Sequence, residues 1–281
     1  MAEQIYPCLW FDGNAKEAAT FYCSVFDHSE IISENPVVVM FHLFGEKMMG
    51  LNGGPMFRLN PSVSFMITSE TEKETEDLYA KLSDGGMVMM PLAKYGWSPK
   101  YAMLQDKFGV SWQLYTGKKE HTGNQVISPT LLFTGKYCGK AEEAVHFYTT
   151  LFPLSEKQGI LHYAPGDEDR EDLVKHAQFK LNNYVMMAMD SSAPHNFSFN
   201  EAVSFVVNCD SQDEIDYYWN NLVADGGEEQ QCGWLKDKFG VSWQIVPTIL
   251  GELMNDPSRS EKVIQSFLKM RKFDIATLLN A

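Results

Sequence analysis

The sequence contains one eight-residue stretch twice: DKFGVSWQ occupies residues 106–113 and returns at residues 237–244. Identity over eight positions that include Trp, Phe and Gly indicates an internal duplication. Each copy predicts a tight turn followed by a strand, because Gly109 and Gly240 can adopt a positive φ and the residues after them alternate between two faces. The two halves of the chain should therefore share one fold.

The duplication extends over most of the 281 residues. We predict a first repeat at 1–118, a linker at 119–125, a second repeat at 126–250 and a helical tail at 251–281. Within each repeat, the hydrophobic periodicity predicts the order β-α-β-β-β twice, which is an α+β fold. The tail carries apolar residues at helical spacing, so we expect it to pack on a domain or on a partner.

The net charge and the cysteine content make several kinds of partner and binding site unexpected. The net charge of −14 would repel a phosphate backbone or an anionic membrane surface, so neither nucleic acid nor membrane is an expected partner. The five cysteines are odd in number and form no CxxC pair, which disfavours a disulfide framework and a zinc site. No basic-then-apolar leader opens the sequence, and we expect a cytoplasmic location.

Three segments together resemble a known family. They are the Gly pair at 226–227, the stretch CGWLKDKFGVSWQIVP at 232–247 and the stretch KMRKFDI at 269–275. They are similar to the PhnB-like group, often labelled demethylubiquinone methyltransferase-like, of the vicinal oxygen chelate superfamily. That superfamily includes glyoxalases, bleomycin-resistance proteins and extradiol dioxygenases. The resemblance implies two tandem domains, each with two βαβββ modules that form a cupped, incomplete eight-stranded barrel.

The resemblance also implies a divalent metal, held by His, Glu or Gln side chains from the first, fifth and eighth strands of a domain. The first strand of the second repeat offers Thr130, and the fifth strands offer Ser64 and Ser204. Only the eighth strands carry a residue of a type that binds the metal in this superfamily: Gln113 in the first repeat and Gln244 in the second. One Gln per repeat does not make a metal site, so we predict no metal ligands and leave the cofactor open.

Alternation along the strands gives the candidate binding residues. The larger apolar residues should face the helices, which leaves small polar and aromatic side chains on the concave side. The predicted substrate-binding residues are Ser64, Ser111, Gln113 and Tyr115 in the first repeat and Ser204, Trp234, Ser242 and Gln244 in the second. A cup with such a lining suits a small, partly apolar ligand. Because the Cys-Gly-Trp segment occurs only in the second repeat, we expect that repeat to carry the working site.

Three functions stay open at this point. The first is a small-molecule-binding protein of the bleomycin-resistance type, without the usual metal triad. The second is an enzyme of the same superfamily, a lyase, isomerase or transferase on a small substrate, metal-assisted or not. The third is a catalytically inactive scaffold. A methyltransferase finds no support, because the Gly pairs follow strands or helices as turns. The tandem repeat can act as a monomeric pseudo-dimer, and a homodimer is the alternative.

Overall fold

The structure is a computed structural model that describes residues 5–281. The described residues divide into two compact units: residues 8–203 form the larger unit, and residues 204–281 with residues 5–7 form the smaller one. None of the helices among the described residues combines the length and the apolar character that a bilayer span requires.

Four βαβββ modules follow one another along the chain, as predicted. The first comprises β1 (Ile5–Phe11), α1 (Ala15–Val25), β2 (Glu30–Glu34), β3 (Val38–Leu43) and β4 (Glu46–Asn52). The second comprises β5 (Val63–Ser69), α2 (Glu72–Leu82), β6 (Met87–Tyr95), β7 (Ser98–Gln105) and β8 (Ser111–Thr116). The third comprises β9 (Ile127–Phe133), α3 (Ala141–Leu151), β10 (Glu156–His162), β11 (Val174–Leu181) and β12 (Tyr184–Asp190). The fourth comprises β13 (Val203–Cys209), α4 (Gln212–Val223), β14 (Glu228–Glu229), β15 (Trp234–Lys236) and β16 (Ser242–Pro247).

The larger unit contains an eight-stranded mixed sheet in the order β10-β11-β12-β9-β5-β8-β7-β6. Its two central strands, β5 and β9, are antiparallel, and Ser64 pairs with Thr130. Four strands belong to the first repeat and four to the second, so the repeats complete one sheet together. The first module contributes a further set in the order β1-β4-β3-β2, and the fourth module has the order β14-β15-β16-β13.

A buried aspartate explains why the stretch DKFGVSWQ folds as a turn and a strand. One carboxylate oxygen of Asp106 accepts hydrogen bonds from the backbone N–H groups of Phe108 (2.8 Å) and Val110 (3.1 Å). The other oxygen accepts from Trp112 Nε1 (2.7 Å) and from the Tyr22 hydroxyl (2.8 Å). The carboxylate therefore closes the turn and fixes the core tryptophan that follows it.

The second copy repeats this arrangement. Asp237 accepts from the N–H groups of Phe239 (2.9 Å) and Val241 (3.0 Å) and from Trp243 Nε1 (2.8 Å). The glycine of the turn has φ +82° at Gly240, close to the +91° of the first copy. The predicted turn and strand are confirmed in both repeats.

The tail folds as α5 (Ile249–Asn255), α6 (Ser260–Phe267) and α7 (Ile275–Leu279). Between α6 and α7 it runs along the segment before β15: the N–H of Cys232 donates to the Met270 carbonyl (2.8 Å) and the N–H of Gly233 to the Arg271 carbonyl (2.7 Å). The helical prediction is confirmed. The tail packs on the smaller unit, where β14 and β15 are much shorter than their counterparts β6 and β7.

Candidate functional site

A cavity of about 630 Å³ lies on one face of the eight-stranded sheet of the larger unit. All eight strands of that sheet contribute side chains to its wall, and residues 118–122 border it at the junction of the two repeats. Helices α2 and α3 pack on strands of the same sheet, and the large apolar side chains Phe65 and Trp112 are fully buried. The volume is in the range of known small-molecule sites.

Three polar side chains joined by hydrogen bonds form part of the cavity wall. The Tyr101 hydroxyl donates to Gln113 Oε1 (2.8 Å), and Gln113 Nε2 donates to Ser64 Oγ (2.9 Å). Burial raises the pKa of the Tyr101 hydroxyl well above its usual value, so the phenol stays protonated and can donate. The Gln113 amide is thus held at both ends.

The positions where the fold class holds its metal carry the wrong donors here. Strand register brings Ser64 beside Thr130, Thr130 beside Met187, and Met66 beside Gln113. Gln113 is a usual ligand type, but the hydroxyl and thioether groups beside it are not, and one amide alone does not make the ligand set that a divalent ion needs. In addition, no three His, Cys, Asp or Glu side chains within residues 5–281 converge as a metal site. The residues do not fit the implied metal.

Aromatic rings cover one side of the cavity mouth. The ring of Trp97 stacks on Tyr95 with 5.1 Å between centroids and meets Tyr101 edge-on at 5.6 Å. Trp97 lines the cavity and is 51% exposed, and Leu161 lines it and is 59% exposed. Both are large apolar side chains that are exposed to water. Covering them with apolar surface is favourable, so the mouth favours an apolar ligand.

Methionine is the commonest residue in the cavity wall. Five methionines line the cavity: Met66, Met90, Met103, Met187 and Met189. The methionine side chain is flexible and polarisable, so it adapts to ligands of different shape and makes favourable contacts with aromatic rings. The part of the wall that these methionines form is therefore soft and apolar.

Two histidines, His121 and His176, line the cavity. His176 lies on β11 and lines the cavity, and no described residue hydrogen-bonds its ring nitrogens. Burial lowers the pKa of His176, so the ring is uncharged at neutral pH. On the same face of β11, Gln178 Nε2 donates to the His121 carbonyl (2.6 Å) and to Gln158 Oε1 (2.9 Å).

The structure separates the predicted binding residues into two groups. Ser64, Gln113 and Tyr115 line the cavity of the larger unit. Ser111 is buried beside them on β8 but is not part of the cavity wall, and its hydroxyl has no hydrogen-bond partner among the described residues. A role of these side chains in binding stays a prediction.

The second group lies in the smaller unit. Gln244 Nε2 donates to Ser204 Oγ (2.9 Å), which repeats the bond between Gln113 and Ser64. Trp234 is paired with Gln244 across β15 and β16, and Ser242 is buried. Their role in ligand binding also stays a prediction.

Of the aromatic and imidazole side chains of the cavity, the sequence prediction contains Tyr115 but not Trp97, Tyr101 or His176. Tyr101 and Met103 alternate on β7, and His176 and Gln178 alternate on β11, so the period of two was present in the sequence. The missing information was that β5–β8 and β9–β12 share one sheet. Trp97 lies in the turn between β6 and β7, where alternation predicts nothing.

Paired βαβββ modules with a cavity on one face of their shared sheet define the vicinal oxygen chelate class of protein. Glyoxalase I from Zea mays has this fold: it aligns with 85% of this chain and 89% of its own, at 12% identity and a TM-score of 0.53. The family model described as 3-demethylubiquinone-9 3-methyltransferase matches residues 3–115 and 125–246. The chain belongs to that family, which includes PhnB-like proteins.

Single-domain relatives match one part of the chain. A PhnB protein from Bacillus cereus is 36% identical over 41% of this chain and 100% of its own, with a TM-score of 0.39. A protein from Staphylococcus aureus is 32% identical over 41% of this chain and 97% of its own, with a TM-score of 0.20. The search of curated proteins gave no significant match.

Proposed function

We propose that the protein binds a small, mostly apolar molecule in the cavity of its larger unit and that it does so without a metal ion. The observation that carries the proposal is the exposed Trp97 ring at the mouth of a cavity of about 630 Å³. A ligand that covers Trp97 and Leu161 would remove apolar surface from water, at roughly 25 cal/mol per Å². The fixed Gln113 amide supplies one oriented polar group.

Strands β5–β8 of the first repeat form one half of the proposed binding cavity, whereas the sequence predicts the working site in the second repeat. The β6–β7 hairpin, which carries Trp97 and Tyr101, is long, whereas β14 and β15 of the second repeat have two and three residues. The long hairpin gives the aromatic side of the cavity. Residues 101–103, which occupy the place of the Cys-Gly-Trp segment in the first repeat, thus belong to the strands that supply the candidate site.

A fluorescent probe tests the proposal. Prodan is a neutral naphthalene ketone without a hydrogen-bond donor, and its emission shifts to the blue in apolar surroundings. We expect saturable binding to the full chain, and about tenfold weaker binding to Trp97→Ala, which corresponds to about 1.4 kcal/mol. Tyr217→Ala is the matched control, because Tyr217 is 47% exposed on α4 of the smaller unit. Absence of binding, or equal affinity in both variants, contradicts the proposal.

An enzyme of the same superfamily is the second candidate, and one observation favours it. An uncharged imidazole in a ligand cavity, as at His176, can act as a general base. Mass spectrometry of a cell-extract metabolite mixture, incubated with the wild type and with His176→Gln, tests this. A product formed only by the wild type supports catalysis, and identical mixtures support binding alone.

The methyl transfer in the family description is not part of the proposal. A Rossmann-type site for a methyl donor has its glycine-rich loop between a strand and the following helix. The Gly pairs at 85–86 and 226–227 instead follow the ends of α2 and α4.

A further inference from the structure

The polar groups of the cavity wall differ in what they can still bind. Gln113 is committed to Tyr101 and Ser64. At the mouth, Lys175 Nζ lies 2.9 Å from Asp167 and 3.6 Å from Glu168, so these charges compensate one another. A ligand would have to displace existing partners to use any of these groups.

Strand β11 offers two acceptors that remain available. The Gln178 amide donates to the His121 carbonyl and to Gln158, which leaves its Oε1 as an acceptor. Two residues earlier on the same face, the uncharged ring of His176 has one nitrogen without a proton and no hydrogen-bond partner among the described residues. His176 and Gln178 are half-buried and line the cavity, so a ligand that carries a hydrogen-bond donor can bind these acceptors without displacing a protein partner.

Across the cavity, the opposite wall is aromatic and soft. Trp97 and Tyr101 present their rings, Met103 lies on β7 with Tyr101, and Met66 lies on β5. The two rings favour stacking or edge-on contact with a flat aromatic ring system, and the flexible methionines adapt to its outline.

We infer that the cavity selects flat aromatic molecules that carry a ring N–H or O–H group, and that His176 accepts the hydrogen bond from that group. This inference rests on the proposed binding function and names its ligand class. Gln178 Oε1 is a second acceptor beside the imidazole, so a donor in this region finds acceptors on two adjacent positions of one face. Donor-free and N-methylated analogues of the same shape should bind less well.

Indole and N-methylindole form the test pair, because they differ only at the ring nitrogen, which carries a hydrogen in indole and a methyl group in N-methylindole. Each is titrated against prodan bound to the full-length protein. We expect indole to displace prodan at roughly three- to tenfold lower concentration than N-methylindole, as one additional hydrogen bond would give. In His176→Phe this preference should fall at least threefold, and in His176→Gln, which keeps an acceptor, much of it should return.

The controls separate this inference from the proposal on which it rests. His42→Phe replaces a histidine on β3, outside the cavity, and should keep the wild-type preference. Prodan, which has no donor, should bind the wild type and His176→Phe within about threefold. If prodan binds but the preference for indole is absent, or is unchanged in His176→Phe, the inference on the ligand class is wrong and the binding function stands. If prodan does not bind, both fall.

Discussion

The Asp106→Asn variant tests whether the Asp106 carboxylate stabilises the turn and the strand of the repeated stretch. The substitution keeps the size of the side chain and leaves one oxygen to accept from the N–H groups of Phe108 and Val110. The other oxygen becomes an NH₂ group that faces Trp112 Nε1 and the Tyr22 hydroxyl. The tyrosine hydroxyl can rotate to accept from the amide, but the indole N–H then faces a second donor and loses its bond.

The expected loss follows from that single unsatisfied donor. A buried donor without a partner costs about 1–3 kcal/mol, and removal of a desolvated charge offsets a part of this. We therefore expect the free energy of unfolding to fall by about 2 kcal/mol. For a chain of 281 residues that corresponds to a Tm lower by about 3–4 °C. Asp237→Asn should act in the same way, because Asp237 also accepts from a buried indole N–H, that of Trp243.

Thermal unfolding followed by circular dichroism measures the effect, with Asp84→Asn as the control, since Asp84 is exposed. Burial raises the pKa of Asp106 above its ordinary value. At a pH between the ordinary pKa of Asp in the unfolded chain and the raised pKa in the folded protein, the folded protein holds a proton that the unfolded chain has released. The contribution of Asp106 to stability therefore falls as pH rises through this range. Asp106→Asn should lose that slope. Equal Tm values for Asp106→Asn and Asp84→Asn would refute the reasoning.

Three further predictions concern packing. Gly233→Ala should cost about 2–4 kcal/mol in a urea titration, because its φ is +80° and a Cβ there would lie 2.4 Å from the Phe273 ring. Gly251→Ala should leave stability unchanged or raise it by up to about 1 kcal/mol, since this helical glycine has open space around its Cβ position; a loss would contradict the helix in solution. Tyr101→Phe removes the donor to Gln113 Oε1 and should lower the unfolding free energy by about 1 kcal/mol, measured by the same titration; an unchanged value would mean that the bond contributes nothing.

The order of elements could be read from the sequence because it depends on local patterns. The turn at Gly109 and the period of two on β8 need only neighbouring residues, and both are confirmed. The composition of the sheet depends on contacts far apart in the chain, such as Ser64 with Thr130. Alternation shows which face a side chain occupies but not which strand lies beside it.

The candidate site was therefore found only in part. Ser64 and Gln113 were placed on the concave side from alternation alone, and they line the cavity. The neighbours of these residues were not predictable, because His176 and Met187 belong to strands of the other repeat. Strand register, rather than residue type, decides that these side chains meet around one cavity.

The most direct measurement is methyl NMR of the protein labelled at the methionine methyl groups, with and without prodan. Of the fifteen methionines, five line the cavity, so the label reports on the site and on the rest of the fold at once. We expect ring-current shifts at these five, with Met187 and Met103 among them, and unchanged signals from Met48 and Met56, which lie outside it. Shifts confined to methionines outside the cavity, or no shifts at all, would contradict the central claim.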